Sequence, residues 1–141
     1  MSTTTATHAT TTSAAPVPGV GSLLLTGSIA TVAAAAATAA VAAAGQAVGL
    51  STAVGGAPIP TSGFAVMTLI FAVIGLGIAT ALRRFARRPR TAWIRTTVVL
   101  TALSFVPDLL VDAAVSTKVL LIVTHVVAAA IVIPAVARRL A

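Results

Sequence analysis

The sequence has no cysteine among its 141 residues and very few charged side chains. The absence of cysteine excludes disulfide bonds, thiol redox chemistry and cysteine-ligated metal sites. Charged residues make up only 8% of the chain, whereas a typical soluble domain has about 25%. A soluble fold of this size could not cover a chain that is 58% hydrophobic with so few charges. The composition therefore predicts an integral membrane protein, with the lipid bilayer as its main partner.

Acidic residues number only two, so the formal net charge is +7. In a soluble protein this excess would suggest nucleic-acid binding. Here the arginines flank apolar segments, which is typical of the loops that set membrane topology, and we expect no nucleic-acid partner. We interpret them as topogenic residues that also contact anionic lipid: Arg83, Arg84, Arg87, Arg88, Arg90, Arg95, Arg138 and Arg139.

Four apolar segments predict an all-α, polytopic membrane protein whose four transmembrane helices pack as two antiparallel hairpins. About 20 helical residues suffice to cross a hydrocarbon core of roughly 30 Å. The first segment has few large side chains and should depend on neighbouring helices, whereas Gly75 and Ala79 offer the second a small-residue groove. The predicted domain is 22–141, with spans at about 22–45, 63–83, 92–115 and 117–138, after a disordered Thr-rich tail at 1–21 that contains His8.

The arginines also predict the orientation. With four spans, all eight arginines lie on the side of both termini, and Lys118 lies on the other side. The positive-inside rule then predicts a multi-pass protein of the cytoplasmic membrane with both termini in the cytoplasm. A three-span alternative, without the weak first helix, would move the N-terminus outside. Trp93 is expected to anchor the inner interface, and the second helix to continue about one turn past the membrane, before Pro89.

Five polar residues predict a cluster inside the second hairpin. Ser104, Asp108 and Asp112 recur every four residues and share one face of the third helix, and Lys118 and His125 share a face of the fourth. A short turn between antiparallel helices would pair Asp108 with His125 and bring Lys118 to Asp112. Two interpretations stay open. The cluster is either a set of structural polar contacts that hold the two helices of the hairpin together or a titratable or ligand-binding site, since imidazole titrates near neutral pH.

A catalytic or metal site is not predicted. The membrane segments contain a single histidine, Ser104 lies a full turn from Asp108, and no oxyanion donor is evident, so we expect no enzyme, no cofactor and no metal. A structural or interaction bundle, assembling with itself or with a membrane partner, is the favoured function. The alternative is a small proton-coupled transporter that uses Asp108 and His125, next to a helix kink at Pro107.

Three segments of the second half carry a family resemblance: Arg-Arg-Pro-Arg-Thr-Ala-Trp at 87–93, Leu-Ser-Phe-Val-Pro at 103–107, and the run from Val-Thr-His to Arg-Arg-Leu at 123–140. Together they resemble a family of small bacterial four-helix membrane proteins of unknown function, over about residues 63–140. The resemblance implies a four-helix architecture and a bacterial inner-membrane location. It implies no activity.

Overall fold

The computed structural model describes residues 19–140, which form four long helices and one short β-hairpin. The described part confirms the predicted all-α fold with four helices long and apolar enough to cross a membrane. At 1.5 Å per residue the helices measure about 33 to 42 Å. The elements are α1 Val20–Ala47, β1 Ala53–Val54, β2 Ala57–Pro58, α2 Thr61–Phe85, α3 Pro89–Leu110 and α4 Val115–Ala137.

The start of α1 falls within the predicted tail. Val20 and Gly21 are helical, so the tail prediction is wrong for these two residues. The rest of the predicted disorder, at 1–18, lies outside the described residues, as does His8.

Going round the bundle, the helices follow the order α1, α2, α3, α4, and α1 packs against both α2 and α4. In its most apolar 18-residue window 33% of residues are buried, against 11% to 17% in the other three helices. Small residues make this enclosure possible: a Cβ at Gly27 would overlap the Leu76 side chain of α2. Near mid-helix, the hydroxyls of Thr38 and Thr68 form a 2.9 Å hydrogen bond between α1 and α2. The first helix is therefore an integral part of the bundle.

The core has two separate clusters, one near each end of the bundle. The end that carries the α2–α3 connection and the C-terminus is called the arginine end below, and the opposite one the hairpin end. At the arginine end the buried cluster contains Leu23, Ala79, Trp93, Val136, Ala137 and Leu140. At the hairpin end it contains Ala42, Phe64 and Leu120.

The arginine-rich connection is shorter than the sequence indicated. α2 ends at Phe85 and α3 begins at Pro89, so Arg87 and Arg88 lie outside both helices. Pro89 occupies the first turn of α3, where its missing N–H costs no helical bond. The residue before a proline avoids helical angles, and Arg88 has φ −132° and ψ 75°. α2 thus continues past the predicted end of its span at 83, as expected, but it ends at Phe85, short of a full extra turn.

α3 ends at Leu110, five residues before the predicted end of its span. Pro107 lies in its last full turn and cannot donate a backbone hydrogen bond to Leu103. After one closing bond from Val111 N to the Pro107 oxygen, the chain turns to extended angles at Val111. Asp112 consequently lies in the α3–α4 connection.

The connection between α1 and α2 contains the β-hairpin. β1 and β2 are antiparallel, with Ala53 opposite Pro58 and Val54 opposite Ala57. Gly55 and Gly56 form the turn with φ of 56° and 80°. Two positive φ values in a two-residue turn match the right-handed twist of the strands and favour glycine at both positions.

Candidate functional site

Asp108 and His125 face each other across the α3–α4 hairpin. His125 Nδ1 lies 3.1 Å from Asp108 Oδ2. The Asp108 side chain is 12% exposed and that of His125 is 37% exposed. The pairing expected from equal distance to the turn is therefore present.

The imidazole is held on three sides. Its Nδ1 lies 2.9 Å from the backbone oxygen of Leu121, one turn earlier in α4. The Phe105 ring meets it edge-on, with ring centres 6.3 Å apart and planes at 83°. A ring nitrogen has at most one proton, and donation to Leu121 leaves Asp108 Oδ2 with an electrostatic contact only. This oxygen is enclosed and has no hydrogen-bond partner among residues 19–140.

Lys118 binds a backbone group and not the predicted carboxylate. Its Nζ donates a 2.8 Å hydrogen bond to the oxygen of Leu109, in the last turn of α3. A cation there satisfies a carbonyl that has no helical partner and offsets the negative end of the helix dipole. The expected Asp112–Lys118 pair is therefore wrong, because α3 ends before Asp112.

Ser104 is also separate from the pair. Its hydroxyl donates a 2.7 Å hydrogen bond to the oxygen of Thr101, three residues earlier in its own helix. Such a bond satisfies the hydroxyl within the helix. Of the five predicted cluster residues, the structure brings only Asp108 and His125 together.

Two hydrogen bonds that the sequence did not predict join the α1–α2 connection to the α3–α4 connection and to the first turn of α4. Gly55 N donates to the oxygen of Asp112 at 2.8 Å, and the hydroxyl of the buried Thr117 donates to the oxygen of Ser51 at 2.7 Å. The Gly-Gly turn signal was present in the sequence and predicts a β-turn. Nothing in the sequence indicated which loop it would contact.

A polar network closes the base of the first connection. The Gln46 amide donates to the Thr52 hydroxyl at 3.3 Å and accepts from the Thr61 hydroxyl at 3.2 Å. Thr52 in turn donates to the oxygen of Ile59. These bonds fix the ends of α1 and α2, so the connection is ordered without any charged residue.

At the arginine end, two of the arginines bind inside the chain. Arg83 Nη1 donates to the backbone oxygen of Arg139 at 3.3 Å, and Arg139 Nε donates to the Thr26 hydroxyl at 3.0 Å. These contacts link α2, the C-terminal turn and α1. Arg83 and Arg139 are thus structural residues, in addition to any topogenic effect.

Trp93 is a core residue. It is 1% exposed, and its indole Nε1 donates a 3.0 Å hydrogen bond to the oxygen of Ile133 in α4. A Cβ at Gly75 would lie 3.7 Å from the tip of the indole, so the small-residue face of α2 receives this ring. The expectation of an interfacial anchor is wrong because the side chain points into the bundle.

Residues 19–140 contain no group of three or more histidine, cysteine or acidic side chains that could hold a metal ion. The arrangement at Asp108 and His125 can hold a charge pair and can exchange a proton through the exposed side of the imidazole. It places no nucleophile beside the histidine, since the Ser104 hydroxyl is bonded to its own helix.

Four helices that are long and apolar enough to cross a membrane indicate a multi-pass membrane protein. The chain belongs to a family of unknown function (DUF6069), whose family model matches residues 18–141. The match confirms the resemblance seen in the second half and extends it through α1. Neither the curated proteins nor the solved structures gave a match.

Proposed function

We propose that this protein is a non-enzymatic structural or interaction bundle of the cytoplasmic membrane, with both termini in the cytoplasm. The observation that carries the proposal is that polar side chains of the α3–α4 hairpin form hydrogen bonds with backbone oxygens of the same hairpin. Lys118 donates to a backbone oxygen of α3, whereas Ser104 and His125 each bond to a backbone oxygen of their own helix. In a bilayer, an interhelical bond such as that of Lys118 stabilises a helix pair by about 1 kcal/mol, and the other two bonds satisfy the polar groups of Ser104 and His125 within the fold.

Asp108 supports the same interpretation. Its Oδ2 is enclosed and lies against the imidazole, so an ion has no direct access from outside to that oxygen. The carboxylate lies near the C-terminus of α3, where the helix dipole disfavours an anion, and His125 Nδ1 lies 3.1 Å from its Oδ2. This arrangement supports a structural role for Asp108, in which it helps to hold α3 and α4 together.

The arginine distribution supports the proposed orientation. All eight arginines lie at the arginine end or in the first turns of α3, whereas Lys118 lies at the hairpin end. The positive-inside rule assigns the arginine end to the cytoplasm.

Assembly with a second copy or a membrane partner would use the outer face of α1. Ser28, Ala33 and Ala36, with Ile29 and Val32, line a shallow groove that no helix of the described chain covers. Small residues allow close helix contact in lipid. The small-residue face of α2 is already occupied by Trp93.

The second candidate is a proton-coupled transporter. It is favoured by one observation, a buried carboxylate oxygen without a hydrogen-bond partner 3.1 Å from a half-exposed imidazole. Ionisable residues inside membrane segments commonly mark ion pathways.

Proton flux in proteoliposomes separates the two functions. Parent, Asp108→Asn and His125→Ala proteins would be reconstituted, and flux under an imposed pH gradient measured with an entrapped pH-sensitive dye. Ser104→Ala is the matched control, because its hydroxyl serves only its own helix. We expect every protein to match empty liposomes, and Asp108→Asn and His125→Ala to unfold at lower temperature than the parent and Ser104→Ala. Flux in the parent that both variants abolish would overturn the structural proposal.

A strictly monomeric particle in the same preparations would contradict self-assembly.

A further inference from the structure

An open cavity of about 360 Å³ lies between α3 and α4 at the arginine end. Its volume falls within the range of small-ligand sites, about 300 to 1,000 Å³. Two of its lining residues are cationic and the other four are apolar: Arg90, Ile94, Ile133, Pro134, Ala137 and Arg138. This cavity is called the α3–α4 groove below.

The charged residues and the apolar residues of the groove lie at different depths. Arg90 and Ile94 are four residues apart on α3, and Pro134 and Arg138 are four residues apart across the end of α4, so each pair shares one helix face. The two arginines lie at the helix ends, and the apolar partners lie one turn, about 6 Å, further into the bundle. A phospholipid has the same order, with its phosphate at the interface and its acyl chains below.

The charge of the groove is not neutralised within the described chain. Arg90 and Arg138 are exposed, and their guanidinium groups have no hydrogen-bond or ion-pair partner among residues 19–140. Both acidic side chains of the protein, Asp108 and Asp112, lie at the hairpin end. The first turn of α3 has no acidic residue and no side-chain cap, so its dipole adds to the positive potential.

The apolar wall is fixed by the core behind it. The buried Trp93 bonds to the oxygen of Ile133 at 3.0 Å, and Ala137 is 4% exposed within the same cluster. The groove is therefore preformed, and a ligand would not have to order it. Preformed sites lose less conformational entropy on binding.

We propose that the α3–α4 groove binds one anionic phospholipid, with the phosphate between Arg90 and Arg138 and the start of an acyl chain against Ile94 and Pro134. Such a site is more selective than the general attraction of a basic loop to an anionic leaflet. It does not depend on whether Asp108 and His125 transport protons, or on which face of the membrane is cytoplasmic.

Native mass spectrometry of the delipidated full chain tests the site. The protein in neutral detergent would be titrated with phosphatidylglycerol, with phosphatidylcholine of the same acyl chains, and with inorganic phosphate. The groove variants are Arg90→Gln, Arg138→Gln, their double variant, and Ile94→Trp, which fills the wall without changing charge. The control is the double variant Arg87→Gln, Arg95→Gln, which removes two charges that do not line the groove.

We expect the parent to bind phosphatidylglycerol at least tenfold more tightly than phosphatidylcholine. One juxtamembrane cation contributes about 1 kcal/mol, so each groove arginine should matter about fivefold and the pair about 25-fold. Ile94→Trp should also weaken lipid binding, and the control should stay within about twofold. Melting temperatures without lipid should not change, since neither guanidinium bonds within the described chain.

Three results would overturn the site. Equal losses in the groove and control double variants would show general electrostatic attraction. Equal affinity for phosphatidylcholine, whose phosphate is balanced by a choline cation, would show that the net negative charge of the headgroup is not recognised. Tight binding of inorganic phosphate with no effect of Ile94→Trp would show an anion site without a lipid chain. If the groove double variant fails to fold, Ile94→Trp decides the test, because it leaves the charges unchanged.

Discussion

Replacement of Trp93 tests the core at the arginine end. The side chain is 1% exposed and bonded to the oxygen of Ile133. Removing a buried aromatic ring costs about 3 to 5 kcal/mol in soluble cores. In a membrane the unfolded side chain also meets an apolar solvent, so the loss of stability comes mainly from lost packing. We therefore expect Trp93→Ala to cost about 3 kcal/mol, the lower end of that range. Trp93→Phe keeps most of the ring and loses the hydrogen bond, which is worth about 1 kcal/mol.

Unfolding in mixed micelles with rising SDS fraction, followed by far-UV circular dichroism, measures these losses. Val98→Ala is the control, because Val98 lies on the exposed face of α3 and its loss should cost less than about 0.5 kcal/mol. Trp93 is the only tryptophan, so brominated lipids should leave the fluorescence of the parent nearly unquenched. Strong quenching, together with Trp93 variants as stable as Val98→Ala, would refute the buried position and restore the interfacial anchor.

Two further predictions concern the ends of the bundle. Thr91→Cys should resist a membrane-impermeant maleimide in intact cells and Ala57→Cys should react, because both positions are exposed and the chain has no native thiol; the reverse pattern would overturn the proposed orientation. Gly55→Ala should destabilise the protein by about 1 to 2 kcal/mol, since its φ of 56° is unfavourable for a residue with a Cβ. Gly77→Ala, in open space within a helix, should be neutral or stabilising by up to about 1 kcal/mol. Equal melting temperatures of the two alanine variants would contradict the backbone argument.

The sequence predicted the Asp108–His125 contact although it misplaced the helix ends between them. α3 stops at Leu110 and α4 starts at Val115. His125 lies ten residues into α4, about 15 Å from its start. The extended residues 111–114 can span up to about 13 Å. The connection therefore covers the distance that the predicted last turn of α3 would have covered, and Asp108 still lies level with His125. The depth of the pair was therefore predictable, whereas the partner of Lys118 depended on the true end of α3.

Composition and hydropathy were sufficient for four helices, because a bilayer requires long apolar segments whatever their tertiary contacts. They could not show which way Trp93 points, since interfacial and buried positions both suit an indole. The bond between Gly55 and Asp112 joins residues distant in sequence, and no local pattern encodes it. Turn chemistry predicts a turn, and only the fold determines what it touches.

The enclosure of α1 has a consequence for biogenesis. α1 contacts α4, and Leu23 near its start shares a cluster with Val136 and Leu140 near the C-terminus. A ribosome adds about 5 to 20 residues per second, so α1 is complete several seconds before the helix that covers it exists. During that time its threonine and alanine surface faces lipid or the insertion machinery. Packing of α4 against α1 is therefore the step that completes the bundle. Chains truncated before α4 should be substrates for membrane quality control.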